Sequence, residues 1–337
     1  MHRVSLVSLV PMVTLAACGA EPSSFPDAGP APDAGVPGAV ELPPAPADWL
    51  VLFDRSVSWE GRADRFQGLK DGVAAFLAAR TAGVELAITS FPRGYDAFAS
   101  CDVRDFSTVE HDWPASDATI LEALAGWDPT HIGSTLGPAL EGAGLIARAR
   151  RAAHPGRSTS ILVLTDASPG EDETCETSEW AALAALAGDV FAAGGGPSVH
   201  VLGVIGTAIP PDYFTKLGDI AGAGGGYAAF VNGSQHDVAE ASHDALRDLE
   251  ARAAICTRAL PADFVPATIT LTSPDGAVTE LARVADASAC TGATFYLDDP
   301  AAPTTATLCS GSRGVGGACE QAFVRAQLVG APVVTAR

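Results

Sequence analysis

The chain is short of positive charge. Its 337 residues carry 20 Lys and Arg against 40 Asp and Glu, a formal net charge of −20. Nucleic-acid binding needs a basic footprint and adsorption to anionic lipid needs basic segments, so the balance argues against both. It is compatible with cations or a basic partner, and equally with a plain soluble surface. No C-x-x-C occurs and the seven histidines form no ligand-like cluster, which argues against zinc. Gly222-Ala223-Gly224-Gly225-Gly226 is a turn before a strand, not a Gly-x-Gly-x-x-Gly opening a helix, so no dinucleotide fingerprint is present. Gly133-Ser134-Thr135-Leu136-Gly137 is not a nucleophile elbow, because Ile132 stands where the first glycine is needed. No Ser/His/Asp order supports a hydrolase, and no enzymatic activity is expected. Beyond the amino terminus no apolar run is long enough to span a bilayer.

The amino terminus itself reads as an export signal. Arg3 precedes a mostly apolar stretch, 4–17, too short for a spanning helix. It ends Leu15-Ala16-Ala17-Cys18, which resembles the lipobox of bacterial lipoproteins. That resemblance makes 1–17 the signal peptide and implies that Cys18 is lipidated and becomes the new amino terminus. The alternative is an ordinary secretion signal. Gly19 follows Cys18 where, in enterobacteria, an Asp favours inner-membrane retention, so the chain leans to the outer membrane. Residues 18–47 are rich in Pro, Ala, Gly and Asp with Pro-Asp-Ala-Gly repeats, and read as a tether. With Cys18 set aside, Cys101, Cys175, Cys256, Cys290, Cys309 and Cys319 are an even set in an exported chain, which predicts disulfides. Short spacing favours Cys309–Cys319. Cys101–Cys175 is next, because both sit in loops expected at one end of a sheet.

From residue 48 the pattern changes. Apolar strands are predicted at 48–54, 84–89, 160–165, 198–205 and 227–231, with a possible edge strand near 107–112. Helices are predicted near 63–80, 118–125, 178–193, 211–221 and 235–253. In the first, Phe66, Leu69, Val73, Phe76 and Leu77 fall on one face. Alternating strands and helices predict a doubly wound, Rossmann-like α/β sheet over 48–255, with helices on both faces. After Cys256 the chain turns to short strand-like segments at 267–271, 279–284, 294–297, 306–309 and 323–328, separated by Gly, Pro and Asp. Residues 256–337 therefore read as a β-rich, cysteine-containing region, either a subdomain or strands laid on the main sheet.

The apolar run Leu50-Val51-Leu52-Phe53 ends in Asp54-Arg55-Ser56-Val57-Ser58. One carboxylate and two hydroxyls thus lie on a loop at the carboxyl end of a buried strand, where open α/β sheets bind ligands. Such oxygens suit a hard cation. Leu162-Val163-Leu164-Thr165-Asp166 ends another strand on a second acid. Between them, Ser134 and Thr130 compete to supply a further hydroxyl. Pro138 would cost about 3 kcal/mol inside a helix begun near Ile132, but is tolerated in the first turn of one begun near Thr135 or Leu136. That favours Ser134, with Thr130 as the fallback.

Together these segments resemble the metal-ion-dependent adhesion site of von Willebrand factor type A domains. That family reads Asp-x-Ser-Gly-Ser, usually followed by Met; here Val57 and Trp59 replace the Gly and the Met, and Ala167 replaces the Gly of Thr-Asp-Gly. The resemblance implies a divalent cation, Mg²⁺ before Mn²⁺ or Ca²⁺, held by Asp54, Ser56, Ser58 and Ser134, with Asp166 direct or through water. It also implies adhesion to a protein or cell-surface ligand through an acidic group, with membrane contact only through the amino-terminal lipid. The lipobox, the tether, Ser90-Phe91-Pro92, residues 138–143 and the tail around 295–299 and Leu308-Cys309 resemble exported type A proteins common in myxobacteria. The competing expectation is a metal-free scaffold with a structural role in the cell envelope. Glu171-Asp172-Glu173 reads as a solvated acidic loop.

Overall fold

The structure, a computed structural model, describes residues 40–95, 98–130, 132–166, 175, 179–192, 196–206, 212–233, 237–262, 264–272, 278–309 and 325–329. The predicted signal, Cys18, most of the tether, Ala167, the acidic run 171–173 and Cys319 lie outside them, as does the side chain of Cys256. The elements in chain order are β1 (Val40–Glu41), β2 (Ala47–Asp54), α1 (Ala63–Ala79), β3 (Val84–Phe91), β4 (Gly94–Tyr95), β5 (Phe98–Ala99), α2 (Asp117–Gly126), α3 (Leu136–Ala153), β6 (Ser158–Thr165) and α4 (Trp180–Ala192). There follow β7 (Ser198–Ile205), α5 (Asp212–Ala223), β8 (Ala228–Asn232), α6 (Val238–Cys256), β9 (Thr257–Ala259), β10 (Thr268–Thr272), β11 (Val278–Arg283), β12 (Thr294–Leu297), β13 (Thr305–Leu308) and β14 (Arg325–Val329).

Five parallel strands form the first sheet in the order β3-β2-β6-β7-β8. All eight residues of β2 are buried, as a strand covered on both faces requires. Its side chains alternate between two cores. Trp49, Val51 and Phe53 pack with Phe66, Leu69, Val73 and Phe76 of α1 and with Leu246 and Leu249 of α6. Leu50 and Leu52 pack with α3, α4 and α5 through Leu140, Leu183 and Leu217. Helices on both faces make the sheet doubly wound. Each large side chain buried this way stabilises the fold by roughly 1.5–3 kcal/mol. α1 and α6 approach closely because α1 carries Gly72: a Cβ there would lie 2.5 Å from the Cβ of Ser242 and 2.8 Å from the Ala239 carbonyl oxygen.

The second sheet has seven strands, β1-β14-β10-β11-β12-β13-β9, antiparallel except for β11 against β12. Its core is Leu42, Ile269, Leu271, Leu281, Phe295, Leu297, Ala306 and Leu308. The β-rich tail is therefore a sheet of its own.

Three details differ from the sequence expectation. Residues 40–47, given to the tether, join both sheets: β1 pairs with β14, Leu42 is buried and β2 begins at Ala47. Leu42, Ala45 and Ala47 are buried, so the apolar residues scattered among the prolines seat the segment. Residues 107–112 form no strand, only an isolated bridge between His111 and Ile88, and the Trp113-Pro114 bond that follows is cis. The favoured Cys309–Cys319 pairing is wrong: Cys309 bonds Cys290. β12 and β13 pair antiparallel, and the Cys309 N–H donates to the Thr294 carbonyl. Strand pairing thus carries Cys309 back to the turn that ends at Cys290, and sequence proximity does not decide. Cys101 bonds Cys175 as expected.

Candidate metal centre

The strand order decides where a site can form. Taken as first to fifth along the chain, the parallel strands lie 2-1-3-4-5, so the winding reverses between β2 and β6. The crevice at the carboxyl ends of those two strands is the switch point of a doubly wound sheet, where such folds bind ligands. Asp54 is the last residue of β2, and Asp166 follows the last residue of β6. Both are buried, with Asp54 at 0% exposure.

The loop after β2 folds back on its own acid. The Ser56 N–H donates to Asp54 Oδ1 at 2.8 Å, and Val57–Trp59 form a 3-10 turn anchored by the fully buried Trp59. The left-handed backbone position of this loop is Gly61, at φ 74°. Val57 stands in the turn itself, which explains how the chain accommodates a β-branched residue where the type A motif has glycine.

Ser58 Oγ donates to Asp166 Oδ1 at 2.9 Å, and Ser56 and Ser58 are 2.8 Å apart through their hydroxyl oxygens. Ser58 spends its one proton on Asp166, and the Ser56 hydroxyl lies between Ser58 and Asp54, linking the two acids. Thr165 Oγ1 donates to Asp54 Oδ2 at 2.6 Å. Arg62 Nη1 reaches Asp166 Oδ2 at 3.0 Å. Asp54, Ser56, Ser58 and Asp166 are thus brought together as one linked group. Sequence inspection missed Thr165, read as the end of an apolar strand, and Arg62, which carries no sequence signal.

The loop before α3 is docked on the loop after β2. Thr130 N–H donates to the Arg55 carbonyl at 2.6 Å, and Val57 N–H donates to the Ile132 carbonyl at 2.9 Å. The two hydroxyls that competed in the sequence now differ. Thr130 Oγ1 donates to the Arg55 carbonyl at 2.9 Å and so serves the loop. Ser134 is 3% exposed and its hydroxyl has no hydrogen-bond partner. Helix α3 starts at Leu136, which puts Pro138 in the first turn, where its missing N–H costs nothing. A buried hydroxyl without a partner is costly. On the loop bonded to the one that follows Asp54, it suits a hard cation, which takes oxygen lone pairs. Among the described residues no three of His, Cys, Asp and Glu converge as a metal-ligating group, so a cation here would depend on the serine hydroxyls.

Asp54 is electrostatically perturbed in this crevice. Burial, and then the neighbouring Asp166, push the Asp54 carboxyl from 3.8 up to about 7, against the lowering pull of Thr165 and Ser56. The unfolded chain would release this proton from about pH 4, while the folded chain keeps it until about pH 7. The stability it contributes is therefore present below pH 4 and lost as pH rises to 7. His200, held neutral by burial and lowered from 6.5 to about 4, acts in the opposite sense: its contribution is lost as pH falls from 6.5 to 4. In EDTA, Asp54→Asn should therefore gain melting temperature relative to wild type as pH is raised from 4 to 7. A constant difference across that range would mean Asp54 ionises normally.

His200 also sits beside two serine hydroxyls. Its Nε2 lies 3.1 Å from Ser198 Oγ, which lies 2.8 Å from Ser160 Oγ. The Tyr227 N–H donates to His200 Nδ1 at 3.1 Å. A neutral ring that accepts at Nδ1 carries its proton on Nε2, so it donates to Ser198 and cannot act as its base.

No protein-family model matches the chain, and no curated protein matches it. Similar solved structures include a von Willebrand factor type A protein from Catenulispora acidiphila, 17% identical with a TM-score of 0.44, over 84% of this chain and 57% of that one. Another is the PilB minor pilin from Streptococcus sanguinis, 15% identical with a TM-score of 0.43, over 62% of each chain. A third is the manganese-loaded TRAP protein of Plasmodium vivax, 11% identical with a TM-score of 0.41, over 60% of this chain and 74% of that one. The chain spans less than two thirds of the length of the first two. Strand order and helix placement, rather than these likenesses, establish the doubly wound fold.

Proposed function

We propose that this chain is an exported, lipid-anchored module of the type A kind that adheres to a protein or surface ligand through a divalent cation held by Asp54, Ser56, Ser58, Ser134 and Asp166. The observation that carries it is the partnerless, buried Ser134 hydroxyl, on the loop bonded to the one that follows Asp54 at the switch point of the sheet. When bound, the cation would supply an open coordination position for a carboxylate of the partner. The chain's part is to hold the oxygens in place through the backbone bonds that lock the loop after β2 to the loop before α3. Mg²⁺ suits the hydroxyl-rich, oxygen-only set, with Mn²⁺ or Ca²⁺ as alternatives. Two disulfides fit an oxidising compartment and support export. Among the described residues no helix is long and apolar enough to cross a membrane.

The second possibility, a metal-free scaffold of the cell envelope, is favoured by one contact: Arg62 already gives Asp166 a counter-charge. Melting in EDTA and in a few millimolar Mg²⁺ or Mn²⁺ separates the two. At a cation concentration about 100 times Kd, binding to the native state alone adds about 2.7 kcal/mol, or roughly 5 °C or more. The wild type should show that rise and Asp54→Asn should not, while the variant keeps or exceeds wild-type stability in EDTA. No rise in the wild type sinks the cation site and leaves the scaffold.

A further inference from the structure

Arg62 is badly placed for the helix it begins. It is the residue before α1, at φ −127° and ψ 33°, and makes no side-chain capping bond. That position favours a small acceptor such as Ser, Thr, Asp or Asn, and the positive end of the helix dipole disfavours a cation. The side chain turns instead to Asp166, with a guanidinium nitrogen 3.0 Å from Oδ2. Asp166 is 1% exposed and Arg62 30%, so the guanidinium reaches in from the rim of the crevice. Asp54, by contrast, is held by N–H and hydroxyl donors of Ser56 and Thr165, with no guanidinium bonded to it among the described residues.

We propose that Arg62 is an exchangeable internal counter-ion: it neutralises Asp166 when the crevice holds no metal, and a divalent cation must compete with it for that carboxylate. This rests on the cation site proposed above. The acid is thereby kept from lying buried and uncompensated, which would be strongly destabilising. The same contact sets the affinity of the site, because two positive groups that share one carboxylate repel each other. That repulsion is worth about tenfold in affinity even at the dielectric constant of water. Arg62, partly exposed, can swing outward, whereas the serines and Asp54 are fixed by the loop. The device weakens the site for cations in general and reserves occupancy for conditions in which the cation is abundant, or in which a partner's acidic group takes the released guanidinium.

The test is calorimetric titration of the protein with Mg²⁺, and separately with Mn²⁺, for wild type, Arg62→Gln and Arg62→Lys. Glutamine keeps a donor for Asp166 and removes the charge; lysine keeps the charge. The Gln variant should bind about tenfold tighter or more, and the Lys variant should stay near wild type. Binding by Arg62→Gln alone would also support exchange, with Arg62 excluding the cation outright. Equal affinities for wild type and Arg62→Gln overturn the exchange and leave the cation site standing. No binding by any of the three overturns both. A purely structural Arg62 would lower the melting temperature of Arg62→Gln without tightening either ion.

Discussion

Asp48→Ala should cost about 3–5 kcal/mol, among the largest effects of any single substitution in this chain. Asp48 is the second residue of β2, at the end opposite Asp54, and is fully buried. Two arginines close on it: Arg150 Nε at 2.7 Å on Oδ2 and Arg157 Nε at 2.6 Å on Oδ1. Arg150 also donates to Glu85 at 2.8 Å, and Arg157 donates to the carbonyls of Ala47 and Gly83 at 2.9 Å each. The group ties the amino-terminal ends of β2, β3 and β6 to the last turn of α3. Removing the one fully buried acid leaves two guanidinium groups, each less than a fifth exposed, sharing Glu85 alone. Asp48→Asn keeps the shape and loses the charge, so it should recover little. Urea midpoints of the two variants against wild type measure this. A loss under about 1 kcal/mol would mean that solvent replaces the carboxylate at little cost.

Strand β2 thus carries a buried acid at each end, and the two are built differently. Asp48 has two guanidinium partners and belongs to the frame. Asp54 has donors but no cation bonded to it among the described residues, and its carboxyl is pushed up to about 7. An acid held without a matching charge costs stability, and a fold keeps such a residue where something else makes use of it. The contrast yields a separable outcome: Asp48 variants should lower stability without changing cation affinity, and Asp54→Asn should do the reverse.

Much of this was legible in the chain. β2, β6 and β7 are buried on both faces, so they appear as continuous apolar runs that end in informative residues. Strand–helix alternation then fixed the parallel sheet, and Pro138 located the start of α3 through its own backbone limits. What escaped depends on partners distant in sequence. β1 is two residues long and exists only because β14 pairs with it. β9 is three residues beside β13. Arg62 meets Asp166 across 104 positions, and Thr165 meets Asp54 across 111. A charged or hydroxyl side chain gives no periodic signal of which way it will turn, so the supporting contacts of the site stay hidden while its oxygens can be named.

Replacing Cys101 and Cys175 together by serine should be the other large effect. The bond joins residues 74 positions apart, and closing a loop of that length removes chain entropy worth about 4 kcal/mol from the unfolded state. Cys290–Cys309 spans 19 positions, and the same relation gives about 3 kcal/mol. The two differ more in where they act. Cys101 follows the β4–β5 hairpin beyond β3, and Cys175 lies nine positions after Asp166, itself buried. This disulfide therefore joins Cys175, nine positions after Asp166, to the residues beyond β3, whereas Cys290–Cys309 staples the second sheet beside β12 and β13. Urea unfolding of the two double-serine variants should show the larger loss for Cys101/Cys175. Cation titration should show weakened binding in that variant alone, because its lost bond is the one close to Asp166 in the chain. Unchanged affinity in Cys101/Cys175, with stability lost as expected, would mean that β6 and the Ser58–Asp166 and Arg62–Asp166 contacts hold the acid in place unaided.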